Sequence, residues 1–435
     1  MRSKHFAAFT LAALSTVAVS SAAHAATRKI CYEFLFNDQR FDCPVTGDPG
    51  VRQACQQKYM NFVTAADGDY SNPVGSYIEL WDDDVNSNDD YIGTWVIGGT
   101  GQRCVTFEWE GAAYSKGEAN PDIYLKWKSK SRAPGGGPSV QAEQTNGTDY
   151  GDVSWSLSPF SNCAAGATCT FSGYHVVSDD ALSERGGRAQ ILNSAAHMLT
   201  VYYTIMDNEP IEVAWPASGS SAQNRYQFQI EGDSGVGGPG NENRALMGQS
   251  TAHELGHLLQ MQMFEQDDLI NDCSLGGSGH SISGTEFESC ATTEGWAGYV
   301  AAVSFWDPAN ALATPSRMGF DYVDPAPADA TCADNAAIEG MVTRSFWDLD
   351  DGTSEAAVAP AVTADNLNAS STFIAQGWDV FPSGTADNQD FEGNNGDVHG
   401  VNLWDYYDNN TGRFTASKLR DTLLEHNCME DQATN

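Results

Sequence analysis

Thr251-Ala252-His253-Glu254-Leu255-Gly256-His257-Leu258-Leu259-Gln260 is the stretch from which the rest of the chain can be read. Helical residues four apart lie one above the other on the same face. His253 and His257 can therefore reach one metal ion. Glu254 falls about 100° round the helix, close enough to hold a water on that ion without being a ligand. Residues 244–263 read as one helix, because Ala245, Leu246, Ala252, Leu255, Leu258 and Leu259 give it apolar faces and no proline interrupts it. The bland alternative is a surface helix that carries two histidines by accident.

The His-Glu-x-x-His pattern resembles the signature of zinc peptidases. A catalytic zinc also needs a third protein ligand and one open position. A metzincin would continue with glycine and histidine at positions 260 and 263, where this chain has Gln260 and Met263. An aspartate-ligand zincin would use a downstream Gly-Thr motif; Gly284-Thr285 is present, but Glu286 follows. The third option is a glutamate on a later helix. Ala291-Thr-Thr-Glu294-Gly-Trp-Ala-Gly-Tyr299-Val-Ala-Ala-Val303 has helical character despite its glycines, with Glu294 in its first turn. This Glu-Gly-Trp-Ala-x-Tyr pattern resembles the third-ligand helix of gluzincins, the group that includes thermolysin. A glutamate near a helix N-terminus is also favoured by the helix dipole alone.

The resemblance runs from about residue 189 to 347 and implies zinc held by His253, His257 and Glu294. Glu254 would then activate a water on zinc for attack on a peptide bond. One departure stands out. Thermolysin-like proteins place an aspartate four residues after the ligand glutamate to support a zinc-bound histidine, and here that position is Gly298. Oxyanion stabilisation needs a further donor. Asn395-Gly-Asp-Val-His399-Gly resembles the stretch around the stabilising histidine of thermolysin, which favours His399; Tyr299 and Tyr322 are the other two choices. The sequence does not separate an endopeptidase from an aminopeptidase.

Towards the N-terminus, Ala189–Ile205 reads as a helix from Ile191, Leu192, Ala195, Leu199 and Tyr202, with His197 a packing residue. Ile211–Trp215 and Arg225–Ile230 read as strands, and a sheet edge beside a zinc-binding helix is what the resemblance implies. Such an edge can pair with an extended substrate. The Pro- and Gly-rich residues 134–138 read as a linker. Before it, residues 26–133 carry short runs rich in β-branched and aromatic residues, which predict a β-sandwich. The pattern Ile78-Glu-Leu-Trp-Asp-Asp-Asp with Asn88-Asp-Asp-Tyr-Ile-Gly resembles transthyretin-like and C2-like modules. Asp82, Asp83, Asp84, Asp89 and Asp90 crowd one loop there and can hold calcium, although a solvated acidic turn explains them equally well. The fold class expected is α+β: an N-terminal β-sandwich, then a mostly helical zincin domain over residues 139–435 with a small mixed sheet.

Composition bounds the partners. The net charge is −36, from 22 basic and 58 acidic residues, so nucleic acid and anionic membrane are disfavoured. Arg2 and Lys4, an apolar run from Phe6 to Val19 and Ala23-His-Ala25 read as a secretory signal peptide cut before Ala26. Ten cysteines, all beyond that point and with no Cys-x-x-Cys pair, fit an exported, disulfide-bonded protein. Proximity suggests Cys163–Cys169, Cys273–Cys290 and Cys43–Cys55. No Gly-x-Ser-x-Gly elbow, P-loop or dinucleotide fingerprint competes. The substrate expected is a peptide or protein. The alternatives are a secreted adhesion or carbohydrate-binding protein with a structural zinc, or a non-peptidase zinc amidohydrolase.

Overall fold

The structure, a computed structural model, describes residues 26–37, 70–83, 88–98, 102–109, 122–155, 166–170, 175–178, 183–232, 248–265, 267, 282–284, 288–310, 313, 315–317, 320–321, 335–351, 367–380, 402–425, 427 and 429. The expected signal segment, His399 and Tyr322 lie outside these. The fold is α+β: a β-rich first part, then helices with small sheets.

Ten strands come first: β1 (Ala26–Asn37), β2 (Tyr70–Ser71), β3 (Ser76–Asp82), β4 (Asp90–Val96), β5 (Gln102–Trp109), β6 (Ile123–Arg132), β7 (Ser139–Glu143), β8 (Val153–Trp155), β9 (Thr168–Thr170) and β10 (His175–Ser178). Helix α1 (Glu184–Tyr202) follows, then β11 (Ile211–Ala217), β12 (Ser221–Asn224) and β13 (Gln227–Glu231). Around β1 gather β5 and β2, antiparallel, and β9 and β10, parallel. The larger sheet runs β12-β13-β11-β7-β6-β3-β4, with β8 on β6.

The alternation of β6 shows how the sequence makes this sheet. Ile123, Leu125, Trp127, Ser129 and Ser131 are buried, while Tyr124, Lys126, Lys128 and Lys130 face outward. Helix α1 lies on the buried face. The Ser131 hydroxyl donates to the Leu192 carbonyl at 2.7 Å, and Arg188 donates to the Ser129 hydroxyl at 2.8 Å. Gly75 and Gly187 are the points of closest approach: a Cβ at Gly75 would lie 2.4 Å from Ala196, and one at Gly187 2.5 Å from Trp215.

This sheet corrects two expectations. Residues 134–138 are not a linker between separate bodies. They connect β6 to β7, which pair antiparallel with Arg132 opposite Ser139 and Ser131 opposite Val140. The glycines serve a tight turn: Gly136 and Gly137 have φ of +118° and +83°, and Gly137 abuts Tyr203. For the same reason the β-rich region does not close on itself at residue 133, because β3, β4 and β6 share a sheet with β7, β11, β12 and β13.

Other expectations shift by less. Helix α1 begins before residue 189, at Glu184, where Ser183 caps it by accepting from the Gly186 N–H at 3.0 Å. In the acidic loop, Asp82 is buried and accepts from the Asp122 N–H at 2.6 Å, while Asp89 accepts from the Tyr124 hydroxyl at 2.6 Å. Bonds of that kind account for these two carboxylates within the protein, and calcium is not supported. Cys31 pairs with Cys104 across β1 and β5, a bond that proximity in sequence did not suggest. Cys169 and Cys290 are also disulfide-bonded, and every other cysteine named above lies outside the described residues.

The rest of the described chain is mostly helical: α2 (Gly248–Met263), α3 (Glu288–Phe305), α4 (Glu339–Asp350), α5 (Ser371–Ala375) and α6 (Leu403–Asn410), with a two-residue strand pair, Ser316–Arg317 on Phe320–Asp321, between α3 and α4. A short terminal turn of helix over Ala416–Arg420 follows them. Helix α2 packs between α1, α3 and the β12–β13 ribbon, and α4 packs on the far side of α3. No helix among the described residues is long and apolar enough to cross a membrane.

Candidate metal centre

Helix α2 is buried from Gly248 to Gln262, which its mixed apolar and polar sequence would not suggest. It is enclosed on several sides at once, and its glycines make that possible. A Cβ at Gly248 would lie 2.6 Å from the Phe305 ring, and one at Gly256 3.0 Å from the Ala297 Cα and 3.1 Å from the Val300 Cβ. Interior helical glycine costs about 1 kcal/mol in propensity, and close helix packing offsets that cost here. The C-terminal end is fixed through Gln262. Its amide accepts from the Asp207 N–H at 3.0 Å and donates to the Arg225 carbonyl at 2.8 Å.

Helix α3 is buried from Ser289 to Phe305. It meets α2 along the Gly256 seam, where the Trp296 indole donates to the Gly256 carbonyl at 3.1 Å. Trp296 is held in turn by the rings of Tyr299, Phe346 and Trp378. That seam sets the two helices in register and brings together the residues singled out from the sequence. His253 Nε2 lies 3.0 Å from Glu294 Oε2, and His257 Nε2 lies 3.4 Å from the same oxygen. The two imidazoles stand edge to face, 4.8 Å apart. All three side chains are buried, with 2%, 5% and 7% of their residues exposed, so their polar atoms meet one another rather than water.

The electrostatics follow from this enclosure. Burial by itself would raise the Glu294 carboxyl, but the imidazoles of His257 and His253 outweigh it and hold the group well below the usual carboxylate range. One ligand atom from each residue falls within 4.8 Å of the others, the arrangement a single cation requires. Donors on a tetrahedral zinc are about 3.3 Å apart, and the 3.0 and 3.4 Å separations match that spacing. Two imidazoles and a carboxylate also suit zinc in ligand type. Among the described residues, no other group of His, Cys, Asp and Glu side chains converges in this way. Glu254 is buried beside His253 on the same helix.

Several expected residues take other parts. Tyr299, one choice for oxyanion donor, is fully buried, and its hydroxyl donates to Asp350 on α4 at 2.8 Å. It lies five residues beyond Glu294 and so points away from that side chain's face. His197 is the packing residue expected: its Nε2 meets the Ser304 carbonyl and its ring lies against Phe305. The strand over 225–230 is β13, but among the described residues the terminal strand beside α2 is β12.

Gly256 and Trp296 stand in the two quoted motifs, but their packing role, and that of Thr343, is seen only in the structure. The Thr343 hydroxyl, on α4, donates to the carbonyl of Gly295, next to Glu294, at 2.9 Å. The available signal was the placing of glycines inside helices beside the ligands, which marks close backbone approach.

No curated protein matches the chain. Among solved structures, a 9R-lipoxygenase from Cyanothece shares 14% identity over 40% of this chain and 23% of that one. The present chain thus spans about a quarter of that protein's length, and with a TM-score of 0.19 the likeness carries no argument about fold. A family model described as the Mycolysin C-terminal domain matches residues 208–389, a span that takes in His253, Glu254, His257 and Glu294, and this match supports a zincin-type peptidase.

Proposed function

We propose that the protein is an exported zinc-dependent peptidase in which His253, His257 and Glu294 hold the metal and Glu254 is the general base. The observation that carries this reading is the convergence of two histidines and one glutamate, from separate helices, on one buried point beside Glu254. When bound, zinc supplies Lewis acidity, acidifying water and polarising a carbonyl oxygen.

The protein's own groups do the rest. The Glu254 carboxylate takes a proton from the attacking water and later delivers it to the leaving amine. The Glu294 carboxylate would contribute negative charge to the centre beside the two neutral imidazoles. Among the described residues β12 is the terminal strand of its sheet and packs beside α2, a place where an extended substrate could add a strand. With Tyr299 engaged at Asp350, His399 is the proposed donor to the oxyanion. A base beside the metal ligands distinguishes this reading from a structural zinc, which needs none.

The test is hydrolysis of an unfolded protein substrate by the purified protein. Activity should be abolished by a zinc chelator, restored by added zinc, and absent in Glu254→Gln. Full activity in Glu254→Gln would overturn the reading. His399→Ala should lower kcat by about 100-fold with little change in KM.

A further inference from the structure

Helix α4 packs against the turn of α3 that bears Glu294. A Cβ at Gly295 would lie 2.6 Å from the Val342 Cβ and 2.8 Å from the Glu339 carbonyl oxygen, so α4 lies directly on the backbone beside Glu294. Within that contact the buried Thr343 hydroxyl donates to the Gly295 carbonyl at 2.9 Å. Threonine in a helix ordinarily bonds a carbonyl of its own preceding turn. Here it reaches across to the neighbouring helix and to the residue adjoining Glu294.

The other end of the same helix pair is tied by Tyr299, which donates to Asp350 at 2.8 Å. Across α3, the Trp296 indole grips Gly256, next to His257. The turn that bears Glu294 is therefore held from two sides by hydrogen bonds to the backbone carbonyls of Gly295 and Gly256, which adjoin Glu294 and His257.

We propose that Thr343 is a positioning residue for Glu294, acting through the Gly295 carbonyl to preset the carboxylate toward His253 and His257. The inference rests on the metal-centre reading above. Loss of the hydroxyl leaves α4 packed but frees the turn to rotate. Metal affinity then falls without a matching loss of fold, by about 10-fold, the lower end of what direct partners of ligating side chains account for.

The experiment measures the zinc dissociation constant by competition with a chelating dye, for the full chain and for Thr343→Ser and Thr343→Val. The melting temperature of each zinc-free protein is measured beside it. Thr343→Ser keeps the hydroxyl and should bind zinc within about twofold of the parent. Thr343→Val keeps the shape and should bind about tenfold more weakly, with a melting temperature no lower than that of the serine variant. If the valine variant does not fold, Thr343→Ala, which also lacks the hydroxyl, takes its place in the comparison. Equal zinc affinity in the serine and valine variants overturns the positioning role, as does a loss of affinity that merely follows melting temperature. A parent protein that binds no zinc overturns the metal-centre reading itself, and this proposal with it.

Discussion

The Trp296 indole donates to the Gly256 carbonyl across 3.1 Å, so the residue two beyond Glu294 grips the residue just before His257. This bond and the missing side chain of Gly256 bring the two helices close enough for their ligands to meet. Gly256→Ala would place a methyl 3.0 Å from the Ala297 Cα. Overpacking should lower stability by about 1–2 kcal/mol after the gain in helix propensity is allowed for. Urea denaturation checks this, and a variant as stable as the parent would show that the seam has slack.

Gly295→Ala should be worse. Its new Cβ meets Val342 at 2.6 Å and a backbone oxygen of Glu339 at 2.8 Å, and neither can swing aside. A loss of about 3 kcal/mol or more is expected, larger than for Gly256→Ala. The order of the two losses, measured side by side by denaturation, is the test.

Much of this centre was legible in the sequence because its information is local. The four-residue spacing of His253 and His257 fixes their shared face once a helix forms, whereas Glu294 is picked out by the resemblance of its Glu-Gly-Trp-Ala-x-Tyr pattern. The connection at 134–138 was not legible, since proline and glycine mark a linker and a tight turn alike. Only the pairing of Arg132 with Ser139 and the positive φ of Gly136 and Gly137 decide between them. The contacts of Thr343 and Trp296 were hidden for another reason: each acts on a backbone carbonyl of a distant residue, and a carbonyl has no letter in the sequence. Cys31 and Cys104 are brought opposite each other by strand register, which spacing along the chain cannot reveal.

That disulfide closes a sequence separation of 73 residues. Replacing both cysteines by alanine should cost about 2–5 kcal/mol, read as a lower melting temperature under non-reducing conditions. An unchanged melting temperature would mean that the β1–β5 pairing needs no crosslink.

A pH dependence is expected away from the metal centre. Burial raises the Asp405 carboxyl to about 6, against the opposing bond from the Asn402 N–H and with some help from Asp408. The folded state therefore binds this proton more tightly than the unfolded chain, whose carboxyl titrates near 4. The stability it confers is fully present below the unfolded value and is lost as pH rises through about 6. Asp405→Asn keeps an acceptor for the Asn402 N–H but cannot ionise. The parent should lose about 1–2 kcal/mol relative to this variant between pH 4 and 7, allowing for partial exposure to solvent. A difference that does not change with pH would show that the carboxyl is not held protonated by burial.

The central claim is that His253, His257 and Glu294 form one zinc site with Glu254 as its base. Metal analysis of the purified protein beside Glu294→Ala and Glu254→Ala tests it most directly. One zinc per chain is expected in the parent, none in Glu294→Ala, and one in a Glu254→Ala protein that no longer cleaves its substrate. Full zinc in Glu294→Ala, or none in the parent, would contradict it.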